Sequence, residues 1–215
     1  YTNTYAPIEE LRDKYNQAIA EENVVALSIA TRPDCLGDDV LDLLEEMSKK
    51  VYLWVELGLQ TINDKTAENF NRGYKFEVFK EGIKKLQDRG IEVVVHSIFG
   101  LPGETKEDML RTIDYIAHSG AQGIKFHLLH LMKNTKMAEQ YYNGEFELLS
   151  EEDYIDLICQ GISMIPEEMV VHRLTGDAPR ATLIGPMWSL KKWEVLNAID
   201  KALVDRDIWQ GKNFK

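Results

Sequence analysis

The residues equipped for chemistry fall into a few short segments. Glu56 and Gln60 stand four apart at the end of one β-branched run, and His96 follows Val93-Val94-Val95. Lys125, His127 and His130 lie within six residues of one another, as do His172, Arg173 and Asp177, while Arg32 and Asp34 flank Pro33. Carboxylate, imidazole, amine and guanidinium are groups that orient a polar ligand or carry a proton near neutral pH. The only cysteines, Cys35 and Cys159, are far apart, so the chain offers neither a CxxC metal knuckle nor a disulfide framework, and a reducing cytosol is the default. The spacing of His127 and His130 fits no strong zinc motif, so no metal ligands are assigned within the chain.

Strand alternation explains the grouping. Val51, Leu53, Val55 and Leu57 share one face of a strand, and Tyr52, Trp54 and Glu56 share the other. Likewise Ile124, Phe126 and Leu128 oppose Lys125 and His127. A parallel sheet dry on both faces is apolar on both, so charges on an inner face predict a lined cavity. The polar residues also bunch where strands end, the edge at which active sites of β/α barrels and open α/β sheets form.

The elements that must position them alternate. Strands are predicted at 24–30, 51–57, 91–98, 123–129 and 169–174. Helices are predicted from Pro7 and over 38–50, 65–71, 76–89, 136–143, 150–165 and 190–204. A further helix starts at Thr105, where Asp108 completes a capping box. Gly90 suits a helix C-cap. The alternation predicts parallel strands joined by right-handed crossovers, an α/β fold in which a doubly wound sheet and a β/α barrel both remain open. Each site residue also has a structural reading. Glu56 suits an ion pair with Lys125 or Arg32, His96 a hydrogen-bonded packing residue, His118 a surface position, and the turn at Gly100 to Gly103 a plain connector.

A length of 215 residues with 44% hydrophobic content supports one large or two small domains. The net charge of −11 argues against a broad grip on nucleic acid, and the pairs Lys84-Lys85 and Lys191-Lys192 read as solvated helix surface. No run of about 18 apolar residues is present, so no membrane partner is expected and the cytoplasm is the expected location. The opening Tyr1-Thr2-Asn3-Thr4-Tyr5 reads as the middle of a loop, which implies a piece of a longer protein.

Taken in series, Ala30-Thr31-Arg32-Pro33-Asp34, Glu56-Leu57-Gly58-Leu59-Gln60-Thr61, Asn71-Arg72-Gly73 and His96-Ser97-Ile98-Phe99-Gly100-Leu101-Pro102-Gly103-Glu104-Thr105 resemble radical S-adenosylmethionine (SAM) enzymes of the Elp3/MiaB/NifB type. The later segments 123–130, 173–180 and 183–188 look like the YhcC/YtqA group. This resemblance implies a partial β/α barrel entered at its third unit, residues 1–165, followed by a C-terminal strand and helix extension, residues 166–215. It implies a [4Fe–4S] cluster held by upstream cysteines, and SAM cleaved on it to a 5′-deoxyadenosyl radical, with the hard chemistry carried by the cofactor. An electron donor such as flavodoxin or ferredoxin, and transfer RNA modified at its wobble uridine, follow from the same likeness. So does inactivity of this stretch alone, whose open barrel edge invites pairing with a second copy.

Residue by residue, the resemblance assigns Glu56 and Gln60 to the SAM ribose and methionine side and Arg72 to the SAM carboxylate. Ile98, Phe99, Gly100 and Leu101 would pack against adenine. His96 stands where some relatives carry an acid, and Thr31 and Arg32 follow Ala30, where several carry Glu. Lys125, His127, His130, His172, Arg173 and Asp177 fall on the substrate side. Two other readings stand beside this one. The first is a metal-dependent barrel hydrolase using His96, His127, His130 and His172 around an activated water, and the second is a non-catalytic binding module.

Overall fold

The computed structural model describes residues 2–215. Five strands form a parallel sheet in the order β1 (Ala26–Thr31), β2 (Tyr52–Gln60), β3 (Glu92–Phe99), β4 (Gly123–Leu128) and β6 (Val170–Arg173). Two short strands, β5 (Leu131–Met132) and β7 (Leu183–Gly185), pair antiparallel beyond the end of β4. This second ribbon has no counterpart among the predicted strands, because two- and three-residue strands are too short for periodicity to register.

The helices are α1 (Ile8–Ala20), α2 (Asp38–Ser48), α3 (Asp64–Asn69), α4 (Phe76–Gln87), α5 (Lys106–His118), α6 (Lys136–Tyr142), α7 (Glu151–Met164) and α8 (Lys192–Asp205). Their ends follow local chemistry. At α5 the Thr105 hydroxyl accepts from Asp108 N–H while the Asp108 carboxylate accepts from Thr105 N–H, the reciprocal capping box read from sequence. Asn63, Thr135 and Ser150 cap α3, α6 and α7 in the same sense with one side-chain oxygen each.

Burial alternates along the strands as their composition foretells. Leu53, Val55, Leu57 and Leu59 of β2 are buried in one core with Ile124, Phe126 and Leu128 of β4 and with Leu44, Phe79, Ile113 and Leu157 of the helices. The other face keeps Tyr52, Trp54, Glu56, His96, Lys125 and His127 half-buried or exposed. A doubly wound sheet would cover that face with helices as well. One covered face and one polar, open face make this the partial β/α barrel. Within residues 166–215, strand β6 pairs with β4 in the main sheet and α8 packs on α7.

The one-sided core sets a contrast in stability. Leu57→Ala empties a fully buried position and should lower the unfolding free energy by about 2–5 kcal/mol. Tyr52→Ala, at a side chain 57% exposed on the open face, should change it by no more than about 1 kcal/mol. Urea denaturation of both variants, followed by far-UV circular dichroism, measures the difference.

Candidate functional site

The open face carries a charged floor centred on Glu56. Its Oε2 accepts from Lys125 Nζ at 2.5 Å and bonds His96 Nε2 at 2.9 Å, while Oε1 accepts from Ser28 Oγ at 2.8 Å. Strand register brings these groups together, since Glu56 lies level with Ala30 and Val94, and His96 with Lys125. Burial works to raise the Glu56 carboxyl, but the hydrogen bonds from Lys125 and Ser28 and the charge of Lys125 outweigh it and hold it at about 2. Of the two ion pairs the sequence allowed, the structure makes the one with Lys125. Arg32 instead grips Asp34 through two bonds of 2.9 and 2.7 Å and lies over the Tyr74 ring.

Burial lowers the pKa of His96, whose ring is therefore neutral near pH 7. A neutral imidazole bonded to a carboxylate through Nε2 carries its proton there, which leaves Nδ1 as an acceptor. The His127 ring lies 5.0 Å from it, and burial drives His127 down to about 3. Past the strand end, His130 is likewise pushed down by burial. The Nε2 atoms of both His127 and His130 are buried without a hydrogen-bond partner. Gly176 lets the chain run close to both rings, for a Cβ there would lie 3.2 Å from His130 and 3.8 Å from His127.

Next to this floor is a cavity of about 370 Å³, lined by Ile98, Leu101, Leu129, His130, Met132 and Met137 among others. It opens at the C-terminal ends of the strands. Gln60 stands at the end of β2 with φ +64°, beyond an irregularity in the β2–β3 register, and accepts a bond from Tyr74 Oη at 3.1 Å. Gly100, at φ +87°, turns the chain out of β3 against Leu149.

Three expected site residues are placed otherwise. Thr31 points to the helix face, where its hydroxyl bonds Thr4 at 2.5 Å and Thr2 at 2.6 Å, because it follows the inward Ala30 by one residue. By the same alternation the Phe99 ring is buried against Phe126 and Tyr154, away from the cavity. The Arg72 guanidinium is buried inside its own loop. It donates to the carbonyls of Leu59 at 2.8 Å, Thr61 at 2.6 Å and Tyr74 at 3.0 Å, and pairs with Asp64 at 3.0 Å. That engagement makes Arg72 a clamp on the end of β2 in place of a free anion receptor. On the far side, His172 packs on Trp54 and Gly123, Arg173 lies level with Lys125, and Asp177 pairs with Lys192 at 2.7 Å.

Two residues went unread in the sequence. Ser28 shares the inner face with Ala30, so alternation along β1 could have found it. Tyr74, which touches Arg32, Arg72, Gly58 and Gln60, sits in a loop with no periodic signal.

Two measurements follow from these shifts. His127 and Glu56 both have folded pKa values below their ordinary ones, so each contributes stability that is present above the ordinary value and lost as pH falls through the folded one. The urea midpoint should fall as pH drops from about 6.5 toward 3, and His127→Gln should flatten the upper part of that decline. Arg72→Ala, which removes a donor from three carbonyls and leaves Leu59 O with only the Thr61 N–H and Asp64 with only the Phe76 N–H, should cost about 2–4 kcal/mol in the same assay, with Arg72→Lys recovering only part.

Comparison with known proteins narrows the site's identity. The model of the radical SAM superfamily matches residues 1–116, and that of the radical SAM C-terminal domain matches 121–205. Protein YtqA of Bacillus subtilis is 52% identical over 215 residues, covering 100% of this chain and 67% of that protein. YhcC of Escherichia coli is 38% identical over 97% of this chain and 68% of that protein. The tRNA uridine(34) acetyltransferase of Methanocaldococcus jannaschii is 29% identical over 81% of this chain and 32% of its own length. In fold, Elp3 of Methanocaldococcus infernus with an N-terminal deletion superimposes at TM-score 0.77 and 21% identity, covering 94% of this chain and 46% of that one. With the parallel sheet and the mouth already in view, these matches establish that the chain belongs to the radical SAM superfamily, in the group that contains YtqA and YhcC.

Proposed function

We propose that this chain supplies the greater part of a radical SAM enzyme, holds SAM across the C-terminal mouth of its sheet, and acts on a uridine of transfer RNA. The observation that carries this reading is the juxtaposition at one mouth of a mostly apolar cavity of about 370 Å³ and a polar floor built on the Glu56–Lys125 ion pair and a neutral His96. A cavity of that size and lining suits a purine nucleoside. Ile98 and Leu101 would flank the adenine, and Glu56 and Gln60 would face the ribose and methionine. Bound beside a reduced [4Fe–4S] cluster, SAM would take one electron, release methionine and supply a 5′-deoxyadenosyl radical for hydrogen abstraction. The chain's own residues orient the ligand, keep Glu56 ionised and present neutral imidazoles to the substrate.

The described residues do not fit an iron–sulfur cluster. Cys35 and Cys159 are half-buried and buried, burial raises both thiols, and no three His, Cys, Asp or Glu side chains converge for a metal. In this reading the cluster ligands belong to the part of the longer relatives that the match leaves out. The same lack of convergent ligands gives the hydrolase reading no support. The RNA assignment draws on relatives named for transfer RNA uridine chemistry.

Full-length protein, reconstituted anaerobically with iron and sulfide and given SAM and dithionite, should release 5′-deoxyadenosine and methionine, quantified by mass spectrometry. No SAM binding by calorimetry together with no 5′-deoxyadenosine would end the proposal. Nucleoside analysis of transfer RNA from a deletion strain should show one uridine derivative lost or its precursor accumulated.

A further inference from the structure

The chain's acidity is unevenly spread. Residues 115–138 hold Lys125, Lys133 and Lys136 and no Asp or Glu, and residues 169–193 hold Arg173, Arg180, Lys191 and Lys192 against Asp177 alone. These two stretches carry seven of the 25 Lys and Arg residues and one of the 36 Asp and Glu residues. The rest of the chain sets 18 basic residues against 35 acidic ones, a net charge of −17.

The fold lays the two basic stretches side by side. Pairing of β4 with β6 sets Lys125 level with Arg173, and β5 pairs with β7. Lys133 donates its backbone N–H to Thr182 at 2.8 Å and its Nζ to the Ala181 carbonyl at 2.9 Å, which brings Arg180 alongside. The lone acid, Asp177, is paired with Lys192 at 2.7 Å, and Lys191 pairs with Glu194, just past the stretch, at 2.8 Å, so the free cations are Lys133, Lys136, Arg173 and Arg180. Lys136, Arg173 and Arg180 are exposed and enter no ion pair among the described residues, whereas Arg12, Lys84, Arg89 and Lys106 all lean on acids. Lys136 also lines the 370 Å³ cavity, so the strip borders the mouth itself.

Cations left unpaired beside a mouth, on a body otherwise strongly acidic, make a field that repels a polyanion everywhere but there and orients it toward the cavity. We infer that the strip formed by residues 133–136 and 173–192 is the docking surface for the phosphodiester backbone of an RNA substrate, placing one nucleotide over the cavity. The inference rests on the RNA reading given above. Overall acidity then confines RNA to one strip.

The test uses full-length protein and fluorescein-labelled bulk transfer RNA, with anisotropy followed between 50 and 200 mM salt. Affinity of the unaltered protein should fall steeply with salt. The double variant Lys133→Glu with Arg180→Glu should bind at least about tenfold more weakly near 100 mM salt, with the slope of log K against log salt reduced by about one to two. Lys84→Glu with Lys85→Glu, on the outer helix α4, should bind as the unaltered protein does. Thermal midpoints of all three within a few degrees exclude misfolding as the cause. Equal binding by both double variants would overturn the strip and leave the RNA reading standing. No transfer RNA binding by unaltered protein that still binds SAM would overturn the RNA reading and the strip with it.

Discussion

A carboxylate largely withdrawn from water stays ionised only if donors surround it, and Glu56 meets that condition through Ser28 and His96 from the two adjacent strands and Lys125 from the strand beyond. The network ties β1, β2, β3 and β4 together across the open face, where no helix layer supplies packing among the described residues. It also fixes the local electrostatics. With Glu56 and Lys125 satisfying each other, His96 and His127 remain neutral, and the mouth presents hydrogen-bonding groups with little net charge at its centre. The basic groups stand farther out, at its rim.

Asymmetry between the two faces is what makes this architecture useful. One face of each strand is dry and locked against helices, so positions such as Leu57 and Phe126 hold the strands in register. The opposite face, relieved of packing, can carry groups that would be costly in a core. The cavity at the strand ends joins both regimes, taking apolar walls from Ile98 and Leu101 and a polar edge from His130. Irregular backbone collects there too, with Gln60, Gly73, Gly100 and Gly103 all at positive φ. Ends of strands are free of ladder constraints, so such conformations are tolerated where ligands approach.

Membership in the radical SAM superfamily fits this division of labour. In that family's chemistry the cofactor is the reactive species, and what a protein must supply is a shaped, oriented, water-poor mouth. Neither cysteine of this chain is placed for a cluster, and the chain spans about two thirds of YtqA and YhcC.

The residue series determined much of this. Period-two alternation in β2 and β4 revealed the two faces, and with them the company of Glu56, Lys125 and His127, because side-chain direction in a strand depends only on parity. The capping box at Thr105 and the α/β order were equally local. Only the tertiary structure decided which donors Glu56 takes, since Lys125 is 69 residues away and Arg32, an equal candidate in the sequence, closes instead on Asp34 two residues along. Tertiary structure also turned Arg72 inward, where the carbonyls of Thr61 and Tyr74 take a donor from its guanidinium and that of Leu59 takes a second one beside the Thr61 N–H. The β5–β7 ribbon and the joining of two basic stretches into one strip belong to the same class, for short strands and distant charges leave no periodic trace until the chain folds.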